Sequence, residues 1–591
     1  MPSPAALSEN QTPQPPAIRR PAGTRWAWGF LIDIAVFAAV FAVIFGVYSI
    51  GRSWLGPVKV ESAISQNPRS LPLYALYSLV RILLAYAISL VFALLYGYVA
   101  AKSKHAEMVL IPLLDILQSI PVLSFLPGVM LAMVALFPNR QLGVEIGSII
   151  LIFTGQVWNI AFSFYSSLKT IPRDLREAAI IYRFSRWQRF VELDLPFSTI
   201  GLVWNSMMSV AGGWFFLMAC EMFVLGDKDF RLPGLGSFLQ TAASSGNTSA
   251  MLWGLATMVA VIVLMDQLIW RPVIAWADKF KFEQVESSST SQNSLLNFIR
   301  KESFIIRAYR RVFHPMVDWL TARFARSARR ASETIRSSNA AKPRPWIAWL
   351  FVPVAAVLVG YGVYRCFQEL SHLHRGDYFL LVRSAGYTFL RVNLALVIGA
   401  LWTIPVGVAV GFSPRFARFM QPIVQLAASI PATALFPVIL VFLVQLRGGV
   451  EIAAMTFMLL GTQWYILFNV IAGAMAIPTD LKEAAHIFRF TRFDRWRYLI
   501  LPGIFPYLVT GMVTASGGAW NASIIAEYFH FRGGIVEAPG LGSTISRASD
   551  AGRFDLLLAS TLIMATVVVL INRLLWRRLF RLASTRYKLE T

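Results

Sequence analysis

The feature that most constrains this chain is a set of long apolar runs, and the set is written twice. Stretches of about 20 or more apolar residues, such as 26–50, 73–101, 143–168 and 553–575, are each long enough to cross roughly 30 Å of hydrocarbon as a helix. Of the 591 residues, 56% are hydrophobic and 14% charged, whereas a soluble domain carries about 25% charged residues. A soluble enzyme is therefore a poor reading. A β-barrel requires short alternating segments, and these runs do not alternate. The expected fold class is an all-α polytopic membrane protein.

The repeat sets the domain plan. Ile171, Pro172, Asp174, Leu175, Glu177, Ala178 and Ala179 recur as Ile477, Pro478, Asp480, Leu481, Glu483, Ala484 and Ala485, an offset of 306. The same offset carries Leu195-Pro196 to Leu501-Pro502, Trp214 to Trp520, Glu221 to Glu527 and the Pro-Gly-Leu-Gly of 233–236 to that of 539–542. Upstream, Arg81 and Ser119-Ile120-Pro121 match Arg391 and Ser429-Ile430-Pro431 at an offset of 310. The first copy thus holds four extra residues near 134–142, expected as a loop insertion. Each copy reads as six spans: 26–50, 73–101, 107–137, 143–168, 197–225 and 249–275, then 346–367, 385–412, 417–445, 449–474, 500–526 and 553–575. Six spans per copy put both copies into the membrane in the same sense, as two parallel tandem domains at 26–275 and 346–580.

Charge supplies the orientation. The formal net charge of +23 suits inner loops facing anionic lipid better than nucleic acid. The loop after the fourth span carries Lys169, Arg173, Arg176, Arg183, Arg186 and Arg189; its counterpart carries Lys482, Arg489, Arg492, Arg495 and Arg497. Both are expected in the cytoplasm, as are the tails 1–25 and 581–591 and the basic connector 276–345. Within that connector, Leu295 to Phe313 reads as an amphipathic helix on the inner membrane surface or as a solvated tether. Residues 1–25 precede an apolar stretch too long for a signal-peptide core, so the first span is expected to be a retained anchor. Cys220 and Cys366 lie in apolar runs and offer neither a disulfide framework nor a metal site.

The loop at 170–196 is repeated without a gap, which a free tether does not require. Pro172 and Pro478 suit the first turn of a helix, and Asp174 and Asp480 place negative charge near its positive end. Ser185 with Gln188, and Thr491 with Asp494, have the spacing of a helix cap. The pattern predicts a helix, a bend and a second short helix at the membrane surface. Glu177-Ala178-Ala179 with Leu193, Leu195 and Pro196, and Glu483-Ala484-Ala485 with Leu499, Leu501 and Pro502, resemble the E-A-A loop of permease subunits of bacterial ATP-binding-cassette importers. The Ser-Ile-Pro and Pro-Gly-Leu-Gly segments look most like the branch importing nitrate, sulfonates and taurine.

The resemblance implies a type I importer permease of the bacterial inner membrane in which Glu177, Ala178, Ala179, Arg183, Glu483, Ala484, Ala485 and Arg489 couple to two separate cytoplasmic ATPase subunits. ATP and Mg would then sit on those partners, with no cofactor in this chain, which lacks a phosphate-binding P-loop. A periplasmic or tethered binding protein would deliver substrate, and the fused chain would act as one covalent pseudo-dimer per complex. The family glycine between the two short helices is Arg183 in one copy and Arg489 in the other. A left-handed non-glycine residue costs on the order of 1–2 kcal/mol, so either the bend has a different geometry or the arginine is strained, and a bend that tolerates arginine is favoured.

The substrate path is less legible. Candidates are Ser119, Pro121, Gln156, Trp158 and Glu221 in the first half and Ser429, Pro431, Gln463, Trp464 and Glu527 in the second, with a structural or gating role equally open for the two glutamates. The Ser-Ile-Pro segments read either as a helix break lining the path or as a kink. Arg81 and Arg391, at the outer ends of their spans, are expected to snorkel to headgroups. Asp33, Asp115 and Asp266 lack acidic counterparts in the second copy, which disfavours a symmetric proton relay. The rival function is an ion-coupled secondary transporter, which has no reason to keep paired E-A-A loops; a membrane enzyme finds no ligand cluster in six His residues.

Overall fold

The computed structural model describes residues 64–138, 141–225, 228–229, 231–280, 364–531 and 534–586, together with 357, 360 and 361. The expected span 26–50, most of the span 346–367, the N-terminal tail and the connector helix lie outside the described residues.

The first half runs α1 (Leu71–Lys102), α2 (Lys104–Ser119), α3 (Leu126–Leu136), α4 (Gln141–Thr170), α5 (Arg173–Ile181) and α6 (Arg186–Glu221). A hairpin of β1 (Val224–Leu225) and β2 (Lys228–Asp229), then α7 (Leu235–Ser244) and α8 (Thr248–Ile274) complete it. The second half repeats this order as α9 (Arg375–Phe412), α10 (Pro414–Ser429), α11 (Ala432–Leu443), α12 (Gly449–Ala476), α13 (Thr479–Ile487), α14 (Arg492–Ala526), β3 (Tyr528–Phe531), β4 (Gly534–Glu537), α15 (Leu541–Asp550) and α16 (Phe554–Ala583). Among the described residues, eight of these helices are long and apolar enough to cross a membrane. Large apolar side chains such as Leu95, Leu390 and Leu401 remain exposed, which suits lipid contact rather than water.

The third expected span of each half is two helices, not one. Ile120 and Ile430 precede proline, which disfavours helical geometry, and both are extended, with ψ of 127° and 117°. The Ser-Ile-Pro segments are breaks, and α2/α3 and α10/α11 are the resulting half-helices. The four extra residues of the first copy do not form a longer loop: the connector after α3 is 137–140, against 444–448 after α11. They lengthen helix ends instead.

One ion cluster per half, wholly buried in the first and open to solvent at Glu451 in the second, ties the end of the bundle that carries the hairpins. Arg81 is wholly buried, so it does not snorkel. Its Nε and Nη2 donate to Glu145 at 2.6 and 2.7 Å, and its Nη1 donates to Glu221 and to the Pro233 carbonyl, both at 2.8 Å. Glu221 also accepts from Ser78 Oγ and the Gly236 amide, each at 2.7 Å. The second half repeats every part: Arg391 donates to Glu451, Glu527 and the Pro539 carbonyl, and Glu527 accepts from Thr388 and the Gly542 amide. The glycines are needed for close approach, since a Cβ on Gly234 or Gly540 would meet the Glu221 or Glu527 carboxylate at 2.3 or 2.2 Å. Three spans and the Pro-Gly-Leu-Gly turn are thereby joined at one point.

The halves meet along the broken spans. α11 packs on α6, α7 and α8, while the turn 122–125 packs on α14 and α2 on α16. Leu123 N donates to Asn521 Oδ1 (3.4 Å), Thr561 Oγ1 to the Ser124 carbonyl (3.1 Å), and Gln240 Nε2 to the His530 carbonyl (3.0 Å).

Removing one member of a buried charge group leaves an uncompensated charge and costs about 3–5 kcal/mol. Arg81→Ala and Arg391→Ala are therefore expected to lower the thermal midpoint of the detergent-solubilised chain markedly, whereas Leu95→Ala changes stability by less than about 0.5 kcal/mol. Fluorescence-detected size exclusion after a heat series reads this; equal midpoints for R81A and L95A contradict it.

Candidate functional site

The end opposite the hairpins carries the two basic loops. α4 stops at Thr170 because Pro172 cannot extend it, and Pro172 (φ −54°, ψ 147°) is the cap before α5 rather than its first helical residue. Asp174 then lies beside the positive end of the helix. Arg176 Nη2 donates to the Leu168 and Lys169 carbonyls at 2.8 and 3.1 Å, holding α5 against the last turn of α4.

α5 and α13 are two-faced. Ala179 and Ala485 are buried against the chain itself, whereas Glu177 and Glu483 are exposed and Ala178 and Ala484 lie between. Projecting outward are Ile180, Ile181 and Tyr182 on one loop and Ile487 and Phe488 on the other, with Ile181 and Phe488 each 75% exposed. Each loop thus offers an apolar tip ringed by arginines, and that tip was not singled out in the sequence. Its signal is the pair of apolar residues at the second and third positions after each E-A-A, Ile181-Tyr182 and Ile487-Phe488.

Of the two alternatives for the bend, the strained arginine is the one found. Arg183 and Arg489 themselves adopt the left-handed conformation, with φ of 52° and 51°. Phe184 N donates to the Ala179 carbonyl and Arg183 N to the Ile180 carbonyl, both at 2.9 Å; Phe490 and Arg489 do the same to Ala485 and His486 at 3.0 Å. This is the Schellman motif that glycine normally closes. The capping boxes are present: Gln188 N bonds Ser185 Oγ and Ser185 N bonds Gln188 Oε1, with Thr491 and Asp494 as their counterparts. The second helix is not separate, however. It is the first turn of α6 or α14, joined through one π-helical turn at Phe190–Asp194 or Arg495–Ile500. A displacement of the loop is therefore a displacement of a span.

The loops are anchored differently in the two halves. Asp194, fully buried, pairs with Lys102 at 2.8 Å. The equivalent positions are Ile500 and Phe412, and Lys482 Nζ lies 4.8 Å from the Phe412 ring centre.

Two cavities lie in series between the halves. The inner one, about 190 Å³, is lined by residues of both halves, including Asn159, Trp214, Pro431, Trp464, Tyr465 and Asn521. The outer one, about 300 Å³, lies between the Leu123–Pro127 turn and the hairpin end, and its wall includes Arg231, Gln240, Tyr528, His530, Ser549 and Asp550. The Leu123–Asn521 hydrogen bond joins the two walls. Burial and the neighbouring Asp550 carboxylate push the Tyr528 phenol up, so it stays a donor to that carboxylate at 2.6 Å.

Of the path candidates, Pro431 and Trp464 are on the inner wall, and Pro121 opens the turn that contributes Leu123 to the outer one. Ser119 and Ser429 end α2 and α10. Trp158 precedes the wall residue Asn159, and Gln463 precedes Trp464. Gln156 is buried against Gly213, with neither amide atom hydrogen-bonded. Glu221 and Glu527 are in the ion clusters, away from both walls. Sequence reading missed Glu145, Glu451, Ser78 and Thr388, although all four recur at the repeat offsets. Among the described residues no three His, Cys, Asp or Glu side chains gather as a metal-holding group.

A family model described as "Binding-protein-dependent transport system inner membrane component" matches residues 89–269 and again 403–583, together more than half of the chain. The chain is 28% identical over 192 residues to the taurine transport system permease protein of Escherichia coli (strain K12), covering 32% of this chain and 66% of that protein. It is 27% identical over 184 residues to the nitrate import permease protein of Leptolyngbya laminosa, covering 31% and 62%. Against a bicarbonate transport system permease protein of Synechocystis sp. (strain ATCC 27184 / PCC 6803 / Kazusa), it is 27% identical over 207 residues, covering 35% and 69%. The chain thus spans less than two thirds of the length of the first two relatives.

Glycine relieves left-handed strain of about 1–2 kcal/mol, whereas a β-branched residue resists that geometry. Arg183→Gly should accordingly keep or slow amide exchange at Phe184, and Arg183→Val should speed it by about tenfold or more. Hydrogen–deuterium exchange of the loop peptide checks this, and faster exchange in R183G contradicts it.

Proposed function

Because the chain belongs to the family of binding-protein-dependent transport system inner membrane components, we propose that it forms both halves of the translocation path of an ATP-driven importer, with the loops 170–190 and 476–496 docking two separate ATPase subunits in the cytoplasm. The observation that carries this reading is the pair of apolar tips, Ile180 to Tyr182 and Ile487 with Phe488, held out on rigid, doubly capped loops. Exposed aromatic and aliphatic side chains set on a firm base are the usual anchors of a protein interface. The basic surround of each loop supports an inner-side position for them, and in this reading the hairpins and α7 and α15 are outside, where a binding protein would deliver substrate.

In this reading, Glu177 and Glu483 meet basic groups of the ATPase groove, while Ala179 and Ala485 let α5 and α13 lie close to their own bundle. ATP and Mg belong to the ATPase subunits and supply the power stroke. Because α6 and α14 begin within the docking loops, closure of the ATPases would tilt these spans directly. The hairpin end, stiffened by the two ion clusters, serves as the fulcrum. One chain per complex replaces two permease subunits. The relatives named for taurine, nitrate and bicarbonate favour a small oxyanion-bearing solute.

Two substitutions with one control test the docking. Ile181→Asp together with Ile487→Asp is expected to reduce co-purification of the ATPase by more than tenfold, in line with loss of about 2 kcal/mol or more at an interface anchor, and to abolish ATP-driven uptake into vesicles. The chain itself should stay monodisperse, since both side chains are exposed. Unchanged assembly and uptake in the double variant overturn the docking. Uptake that survives ATP depletion but collapses with the proton gradient would instead establish a secondary transporter.

A further inference from the structure

The span that begins in each docking loop carries its own flexure point. One π-helical turn, Phe190–Asp194 in α6 and Arg495–Ile500 in α14, is closed by a bond reaching back five residues, from Leu195 N to the Phe190 carbonyl and from Leu501 N to the Trp496 carbonyl. Such turns interrupt the regular ladder of an α-helix, often sit at functional sites and are where a helix bends sharply. Each half therefore has a hinge in the same place.

The hinges are held differently. In the first half, two side chains four residues apart on α1 grip the two ends of the turn. The Tyr98 ring stands edge-on to Phe190, with centres 5.4 Å apart and planes at 86°, and Lys102 Nζ reaches an Asp194 oxygen at 2.8 Å. Lys102 Nζ also lies 5.2 Å from the Tyr98 ring centre, so the two grips support each other. Arg189 Nε is 3.9 Å from Asp194, but it is borne on the same helix and travels with the hinge. Because the Asp194 carboxylate is wholly buried, opening the turn away from α1 would strand its charge.

The second half has no such grip at these positions. The counterparts of Tyr98, Phe190, Lys102 and Asp194 are Val408, Trp496, Phe412 and Ile500, none of which carries a charge. Apolar contact is non-directional, so a turn held by it can shift without stranding anything. Lys482 Nζ lies 4.8 Å from the Phe412 ring centre, yet it belongs to α13 and not to the turn.

We propose that the hinge of α6 is clamped to α1 while the hinge of α14 is free, so that flexing at the inner end of the bundle belongs mainly to the second half. The inference concerns the chain alone and does not require that an ATPase dock. If two motors do push on the loops, equal strokes would produce unequal responses.

Hydrogen–deuterium exchange of the full-length chain in lipid nanodiscs tests this, read by mass spectrometry on peptides covering 188–196 and 494–502 and corrected for the intrinsic rates of the two sequences. Expected is slower exchange of the first peptide by about tenfold or more, as suits a segment that opens only by breaking a buried pair. Lys102→Phe together with Asp194→Ile gives the first half its counterpart's residues and strands no charge. This double substitution should bring the first peptide to the rate of the second, and the reciprocal Phe412→Lys with Ile500→Asp should slow the second. Equal exchange of the two peptides in the unsubstituted chain overturns the proposal, and so does an unchanged first peptide in a folded K102F/D194I chain. The first comparison needs no substitution, so it decides even where a variant fails to fold. Neither readout involves the ATPase, so this inference and the docking reading fail separately.

Discussion

Each half of the molecule is organised around a buried guanidinium shared by two carboxylates, of which Glu145, Glu221 and Glu527 are buried and Glu451 is half exposed. An ion left alone at that depth would be prohibitive, so the cluster persists only because its charges are met. Arg81 donates to Glu145, Glu221 and a carbonyl, and Glu221 accepts further bonds from a hydroxyl and a backbone amide. The cluster dictates the local sequence. Glycines at 234 and 540 let the backbone pass against the carboxylates, and Ser78 or Thr388 bridges a carboxylate to the amide of Leu235 or Leu541. Once this node is formed, α1, α4, α6 and the Pro-Gly-Leu-Gly turn have fixed relative positions at one end. The other end is held mainly by apolar packing and by loops whose apolar tips are exposed.

Much of this architecture was legible because the chain contains its own comparison. The eight long helices among the described residues followed from run length, the two similar halves from the constant offsets, and the capped basic loops from chemistry that is local: Ser185 with Gln188 and Thr491 with Asp494 state their own geometry. What escaped was nonlocal. Arg81 looked like a headgroup ligand because its partner Glu145 is 64 positions away and on another span. The helix breaks were ambiguous because proline after isoleucine is compatible with a kink as well as a break, and only packing between halves decides. The apolar tips at Ile181 and Phe488 were indistinguishable by composition from buried surface. The bend stayed open between a changed geometry and a strained arginine because a propensity for glycine says nothing of the tertiary frame that can hold arginine in its place.

Fusion has let the halves diverge while each stays internally consistent. Where the first half joins Lys102 to Asp194, the second puts Phe412 and Ile500. Where the first closes its hairpin end with an amide bond from Asn247 to Gln66, the second uses Arg553 with Asp377 and Asp555. Removing Lys102 alone would leave the buried Asp194 carboxylate without its cation, so the members of that pair change together, and the role outlasts the chemistry. The ion clusters are the exception. They keep the same arginine and glutamates in both halves, with Thr388 for Ser78 and with Glu451 46% exposed where Glu145 is 2% exposed, as expected of groups with many simultaneous partners.

Against that background of drift, the arginines at 183 and 489 are informative. Both positions are left-handed, both are exposed, and glycine would relieve strain of about 1–2 kcal/mol at each. Folding alone gives no reason to keep a strained side chain twice in a chain that has freely exchanged ion pairs for apolar pairs elsewhere. Strain retained at a surface loop is commonly tied to function, and these guanidinium groups flank the apolar tips on both loops. Under the proposed docking, a partner groove with an apolar floor and an acidic rim would meet both features at once, and the two bends would then serve selectivity for that partner rather than being an imperfection of the fold.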